Sequence, residues 1–200
     1  MLKVYLLRHG ETTYNADGNR YCGRTDIDLT EKGLAQANLA NTLLKDVQFD
    51  AVYSSPLKRA KITAAIASGD NVITDDRLIE ADFGVWEGKT REQFIIENEE
   101  LWTNWSTDPQ LSNAGGTGES GQAIVERVDD FFKEIYKKHP NGTILAVAHN
   151  GVNRLYMAHK LGMPLKNYRQ LAQENSSITL FELDDDGVFT LKKLNAILIC

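Results

Sequence analysis

The chain has 200 residues, of which 42% are hydrophobic and 25% are charged, and these are ordinary values for a globular protein. Its net charge of −6 leaves no basic excess to meet a phosphate backbone, so we expect no nucleic-acid partner, although a small pocket that is locally positive is not excluded. No apolar run reaches the length of a membrane span, so we expect no membrane partner either.

In the first half of the chain, apolar runs alternate with helical patterns. Three runs predict strands, at residues 2–7, 49–55 and 71–75. Two helices are predicted between them, over 30–47 and 55–68. We expect Thr30 to cap the first helix, and Ser55 to cap the second with Pro56 in its first turn.

The second half continues the alternation and ends differently. Three helices are predicted, over 90–105, 119–138 and 151–162, and the glycine-rich stretch 113–121 predicts a loop before the second. A buried strand is predicted over 143–149, and a terminal hairpin over 177–183 and 188–194. Strands that alternate with helices predict an α/β fold with a mostly parallel sheet, to which the hairpin adds an antiparallel component. We expect a single domain over 1–200, with 85–120 as its lid.

Two of the predicted strands end in a histidine that a glycine soon follows, in VYLLRHG and LAVAHNG. Ligands of open α/β sheets bind outside the carboxyl ends of the strands, so we expect His9 and His149 on one rim. Arg59 lies about one turn into the helix that follows a third strand end, where a helix N-terminus favours anions. Taken singly, His149 is typical of a turn and Arg59 of a solvated helix face. Together with Arg8, two cations and two imidazoles predict a phosphate pocket.

The sequence offers no set of residues for a metal or a nucleotide cofactor. Its histidines lack ligand spacing, GGTGES lacks the lysine of a phosphate-binding loop, and no GxGxxG follows a strand. Cys22 and Cys200 do not make a disulfide framework, and the first residues lack the cleavage site of a secretory signal. We therefore expect a cytoplasmic protein without metal or cofactor.

Several motifs occur in a characteristic order, namely LRHGET, RYCGRTDIDLTEKGLAQA, SSPLKRAKITA, LIEADFGVWEG, GES and AHNGVNR. In these motifs, from about residue 3 to about 180, the chain resembles the histidine phosphatase superfamily, also called the phosphoglycerate mutase-like family. The resemblance implies a three-layer sandwich, with helices on both faces of a mostly parallel central sheet.

The resemblance also implies roles for particular residues. His9 would be the nucleophile and Glu80 the proton donor, with His149 as the second catalytic histidine. Phosphate binding would fall to Arg8, Arg59 and His149, with Asn15 and Gly23 lining the pocket. Asp82 and Glu87 remain alternative acids, because composition does not separate them from Glu80.

The implied activity is hydrolysis of a small phosphomonoester through a phosphohistidine, without a metal. Mutases of this family carry a longer, more basic insertion between the acid and the second histidine, whereas here no arginine occurs between Arg91 and Arg127. We therefore expect a phosphatase that resembles the α-ribazole and broad-specificity phosphatases, with cofactor-dependent phosphoglycerate mutase as the alternative. An inactive binding module on this fold would usually lack one of the motif residues, all of which are present here.

Trp102 and Trp105 share a helix face that either packs on the core, the favoured interpretation, or covers the leaving group.

Overall fold

The computed structural model describes residues 1–185 and 187–197. Three parts of the predictions lie outside the described residues. These are Cys200, the second of the two cysteines, Asp186 in the turn of the predicted hairpin, and the end of the domain expected over 1–200. Within the described part of the chain, no helix is both long enough and apolar enough to cross a membrane.

A mixed sheet forms the centre of the molecule. Its strands are β1 (Leu2–Arg8), β2 (Ala51–Ser54), β3 (Val72–Thr74), β4 (Thr143–Ala148), β5 (Ile178–Leu183) and β6 (Phe189–Ala196). They lie in the order β3-β2-β4-β1-β5-β6, the first four parallel and the last two antiparallel to their neighbours. The mostly parallel sheet and the terminal hairpin are thus confirmed.

Helices cover both faces of the sheet, as the three-layer sandwich requires. The α-helices of the described residues are α1 (Thr13–Ala16), α2 (Glu31–Leu44), α3 (Lys58–Ser68), α4 (Arg91–Glu97), α5 (Glu99–Thr107), α6 (Gly121–Lys138) and α7 (Asn150–Lys160), and α2, α3, α6 and α7 are the ones that pack on the sheet. Alanines of α2 and α3 pack on one face against Val52, Leu145 and Val147. On the other face, α6 and α7 pack larger side chains against the alternate strand residues, such as Leu6 and Ile144. Strand side chains alternate in direction, and this divides the core in two.

Two details of the predicted helices are wrong. Ser55 does not cap α3, because its own N–H still bonds Val147 O at the sheet and its hydroxyl accepts from Leu57 N. The helix begins two residues after Pro56, with Leu57 in extended conformation at its N-cap. The single helix expected over 90–105 is instead α4 and α5, divided at Asn98, whose extended backbone ends α4 and whose side chain caps α5.

Candidate active site

The sheet register brings the two motif histidines together. Arg8 is paired with Ala148 in neighbouring parallel strands, so His9 and His149 are the next residue on each. Their ring centroids lie 5.1 Å apart, and both side chains are almost fully buried. The expectation that the two histidines share one rim of the sheet is therefore met in the structure.

Gly10, the residue after His9, packs closely against α2. A Cβ at this position would lie 2.4 Å from the carbonyl oxygen of Gly33 in α2, so only glycine fits against that helix. The N–H of Gly10 donates to Thr63 Oγ1 of α3 at 3.0 Å. These contacts fix the loop that carries His9 to the two helices on one face of the sheet.

The hydrogen bonds of the two imidazoles determine opposite tautomers. His9 Nδ1 lies 2.7 Å from the carbonyl oxygen of Gly10, which only accepts, so Nδ1 carries the proton and Nε2 keeps its lone pair. His149 Nδ1 accepts from Arg59 Nε at 3.3 Å, so its proton is on Nε2. His149 Nε2 is buried and has no partner among the described residues. The pair thus combines one free lone pair with one unused N–H donor.

Burial holds the pKa of His9 well below its usual value of 6.5, and the charges of Arg59 and Arg8 lower it further. The pKa of His149 is lowered for the same main reason, with Arg59 as the next cause. Both rings are therefore neutral at physiological pH, and His9 Nε2 is available as a nucleophile.

Arg59 is completely buried and binds three acceptors at once. Its terminal nitrogens donate to the carbonyl oxygens of Thr25 and Gly23, at 2.8 and 2.6 Å, and its Nε orients His149. Each terminal nitrogen has two hydrogens, so one N–H on each remains after these bonds. Gly23 has φ +51°, and a Cβ there would lie 1.9 Å from Glu87 Oε1. Gly23 thus allows the loop to approach Arg59 and Glu87 closely.

The Arg8 side chain has one hydrogen-bonded terminal nitrogen and an Nε–H without a partner among the described residues. Its Nη1 donates to Gln173 O at 2.7 Å, whereas its buried Nε has no partner among the described residues. Burial lowers the pKa of Arg8 to about 10, which leaves the guanidinium charged at neutral pH. Buried donors are normally satisfied, so an unpaired N–H beside His9 calls for an acceptor that is bound from outside.

Glu80 is buried against the N-terminus of α7. Its Oε1 accepts from Ala81 N and Val152 N at 2.9 and 3.1 Å, and its Oε2 from Gly151 N at 3.2 Å. Burial raises the pKa of Glu80, and the N–H groups oppose that shift in part. Oε1 already has two donors, so Oε2 is the oxygen with room to hold a proton.

The two alternative acids have other partners. Glu87 accepts from Arg24 N, Thr25 N and Thr25 Oγ1, so it holds the loop to which Arg59 also bonds. Asp82 accepts from Gly84 N at 2.9 Å and lies 3.9 Å from Arg24. Neither carboxylate lines the cavity beside His9, whereas Glu80 does.

A cavity of ≈ 120 Å³ opens beside the histidines. Of the residues predicted from the sequence, Arg8, His9, Asn15 and Glu80 line it. Arg59 and His149 are buried completely and, like Gly23, are not part of this lining. Further lining residues had not been predicted: Asn19, Arg20, Tyr21, Cys22, Phe83, Asn150, Gly151, Arg154, Tyr168 and Arg169.

A signal for some of these residues was present in the sequence. Asn150 and Arg154 follow His149 within a little more than one helical turn, so α7 brings both to the same face. Arg169 lies in the short 3-10 helix Leu165–Gln170, and the sequence around it contains no motif that marks it as a site residue. Cys22 also lines the cavity, but burial raises the pKa of its thiol and so disfavours the nucleophilic thiolate.

Of the two tryptophans in the expected lid, Trp105 belongs to the core and the half-buried Trp102 packs against it, which agrees with the favoured interpretation. Trp105 is 1% exposed and donates to Tyr168 Oη, and Trp102 packs beside Trp86. Trp102 also lies under the guanidinium of Arg169, 4.5 Å from ring centroid to Cζ. It therefore supports a cavity residue without lining the cavity.

Among the described residues, no cluster of three or more histidine, cysteine or acidic side chains could hold a metal ion.

Comparison with known proteins agrees with this arrangement. A family model described as "Histidine phosphatase superfamily (branch 1)" matches residues 4–197. Phosphoserine phosphatase 1 of Hydrogenobacter thermophilus is 36% identical over 96% of this chain and 92% of its own. The adenosylcobalamin/alpha-ribazole phosphatase of Salmonella typhimurium is 34% identical over 98% and 96%. The crystal structure of a phosphoserine phosphatase mutant from Entamoeba histolytica, in complex with phosphoserine, has a TM-score of 0.89 at 31% identity and 98% coverage of both chains.

Proposed function

The chain belongs to the histidine phosphatase superfamily and is a phosphatase of small phosphomonoesters, and we propose that His9 is the residue that accepts the phosphoryl group. The observation that carries this proposal is the tautomer of His9. Its Nδ1–H is bound to Gly10 O, so the lone pair of Nε2 is free, and the lowered pKa keeps it so. Nε2 attacks phosphorus, the ester P–O bond breaks, and a phosphohistidine forms.

The phosphoryl group meets donors that are otherwise unsatisfied. Arg8 Nε and His149 Nε2 are both buried and unpaired among the described residues, and both lie close to His9. Arg59 adds a permanent charge and has one remaining N–H on each terminal nitrogen. Fixed donors of this kind stabilise the charge that moves onto the phosphoryl oxygens in the transition state. Asn15, on the cavity wall, is proposed to bind the same group.

Glu80 is proposed as the proton donor for the leaving alcohol. Its raised pKa favours the protonated form, and Oε2 is the oxygen that can carry the proton. After the alcohol has left with that proton, the carboxylate can take a proton from water as the water attacks the phosphohistidine. The second step releases inorganic phosphate, restores His9 and returns Glu80 to its acid form.

Two further parts of the proposal concern the chain as a whole. Residues 85–120 are proposed as the lid, since Phe94 packs edge-on to Tyr21, a cavity residue, at 5.0 Å. A cytoplasmic location is proposed because the buried Cys22 is a free thiol, as is common in a reducing compartment.

The experiment is to trap the intermediate. The protein is mixed with a ³²P-labelled phosphomonoester and quenched, and we expect acid-labile label on the peptide that contains His9. His9→Ala should abolish both labelling and turnover, whereas His159→Ala, on the outer part of α7, serves as the matched control and should leave both unchanged. Label on a serine or an aspartate, or full labelling of His9→Ala, would overturn the proposal. The same samples show whether the label leaves as inorganic phosphate, as hydrolysis requires, or moves to another alcohol, as a mutase requires.

A further inference from the structure

The arginines of this chain divide into those with and those without an acidic partner. Five of them form ion pairs, namely Arg20, Arg24, Arg77, Arg91 and Arg127. The other four form none among the described residues, namely Arg8, Arg59, Arg154 and Arg169. Three of these four line the same cavity, and Arg59 is buried beside it. The unpaired positive charge of the arginines is thus collected at one site.

A single phosphoryl group at His9 does not explain why all four of these arginines lack an acidic partner. Arg8 and Arg59 lie with His9 and His149, where the phosphorus must come. Arg154 is on α7, beyond Asn150, and Arg169 is in the 3-10 helix that follows. These two also line the cavity, on elements that pack against each other.

Both side chains are held in place by neutral groups. Arg154 Nε donates to Tyr168 O at 3.2 Å, and its guanidinium lies 5.3 Å from the centre of the Tyr168 ring. Arg169 Nη2 donates to Tyr21 Oη at 2.8 Å and lies over Trp102. Carbonyl, phenol and aromatic faces orient a guanidinium without neutralising it. Neither terminal nitrogen of Arg154 has a hydrogen-bond partner among the described residues, which leaves a planar fork of donors.

The arginines also repel one another. Burial is the main cause that lowers the pKa values of Arg8 and Arg154. The charge of Arg154 adds to the shift of Arg8, and that of Arg169 adds to the shift of Arg154, whereas Glu80 opposes both shifts. Like charges that lie close together in a partly buried cavity are unfavourable unless an anion binds between them. A substrate with a second anionic group would relieve this repulsion.

We propose that Arg154 and Arg169 bind a carboxylate that the substrate carries beside its phosphate ester, so that the substrate is a phosphorylated hydroxy acid or amino acid. This inference rests on the proposed function, since it takes the phosphoryl group to lie at His9. Two arginine forks match the planar carboxylate, which accepts two parallel N–H bonds.

The test compares esters that differ in the carboxylate. O-Phosphoserine is paired with O-phosphoethanolamine, which lacks only that group, and 3-phosphoglycerate with glycerol 3-phosphate, in which a hydroxymethyl group replaces it. In at least one pair, we expect kcat/KM of the wild type to be about 10- to 100-fold higher for the acid, the effect of a hydrogen bond to a charged group. Arg154→Met and Arg169→Met should lower kcat/KM for that acid by about the same factor and leave its partner unchanged. Lys133→Met is the control, because Lys133 is exposed, pairs with Asp129 and lies outside both the cavity and the proposed lid.

Binding to the His9→Ala protein separates this inference from the proposed function. Calorimetry of the same ester pairs measures the carboxylate contact without turnover, and we expect the acid to bind more tightly. Equal affinity and equal kcat/KM within both pairs would overturn the carboxylate site even where His9 is labelled. Equal losses on acid and partner in the arginine variants would overturn it as well. Failure of His9 to take up label, with tighter binding of the acid retained, would instead contradict the proposed function alone.

Discussion

Replacement of Glu80 by glutamine is the sharpest test of the proposed proton transfer. The variant Glu80→Gln keeps an oxygen for the N–H groups of Ala81 and Val152, but it places an amide NH₂ opposite Gly151 N. One hydrogen bond is lost and two donors face each other, and this should lower the free energy of unfolding by about 1–3 kcal/mol. A domain is typically stable by about 5–15 kcal/mol, so we expect the variant to fold.

The expected loss of rate depends on the leaving group. General acid catalysis contributes about 10²–10⁴-fold, so phosphorylation of His9 by an alkyl phosphate should slow by roughly that factor, or about 3–5 kcal/mol in activation free energy. A nitrophenolate leaves without a proton, so nitrophenyl phosphate should lose clearly less. The assay is single-turnover release of the alcohol, because Glu80 is also proposed to assist the later attack of water.

Glu87→Gln provides the matched control. Glu87 holds the loop whose carbonyl groups bind Arg59, so its loss should affect both esters alike. Equal losses on the two esters for Glu80→Gln would refute the role of Glu80 as the acid. A loss confined to the alkyl ester in Asp82→Asn or Glu87→Gln would transfer that role to the residue concerned.

Three further predictions concern the charged groups of the site. Arg59→Lys keeps the charge, but its three donors are on one nitrogen and cannot reach the three separately placed acceptors, so kcat/KM should fall about 10²–10³-fold on both esters alike. A loss that depends on the leaving group would contradict this. Because the pKa values of His9 and His149 are lowered, the unfolded chain binds protons that the folded chain does not, and this difference grows as the pH falls below about 6.5. The free energy of unfolding should therefore fall by up to about 1.4 kcal/mol per pH unit for each histidine, and urea titrations that show no change between about pH 7 and 5 would contradict the buried neutral state. Finally, phosphate release should survive excess EDTA, since arginines supply the positive charge. Loss of activity that a divalent ion restores would show that a metal takes part.

Much of the fold could be predicted because its signals are local. Apolar runs, the cap at Thr30 and the motifs at the two strand ends each depend on a few consecutive residues. The start of α3 and the break at Asn98 could not be predicted in this way. Ser55 has the right side chain for a cap, but its backbone is bound to β4, a contact across more than ninety residues of sequence.

The sequence by itself determined which strand ends carry His9 and His149, since an apolar run and a following histidine are read along the chain. Only the tertiary structure decided what these histidines can do, because the protons of their rings are placed by Gly10 O and by Arg59 Nε. It also decided which arginines are available to a ligand. The sequence does not show which of its arginines have an acidic partner, because an ion pair depends on distance in space. Arg154 and Arg169 become unpaired cations of one cavity only when α7 and the following 3-10 helix pack together, with no carboxylate of the described residues within ion-pair distance of either.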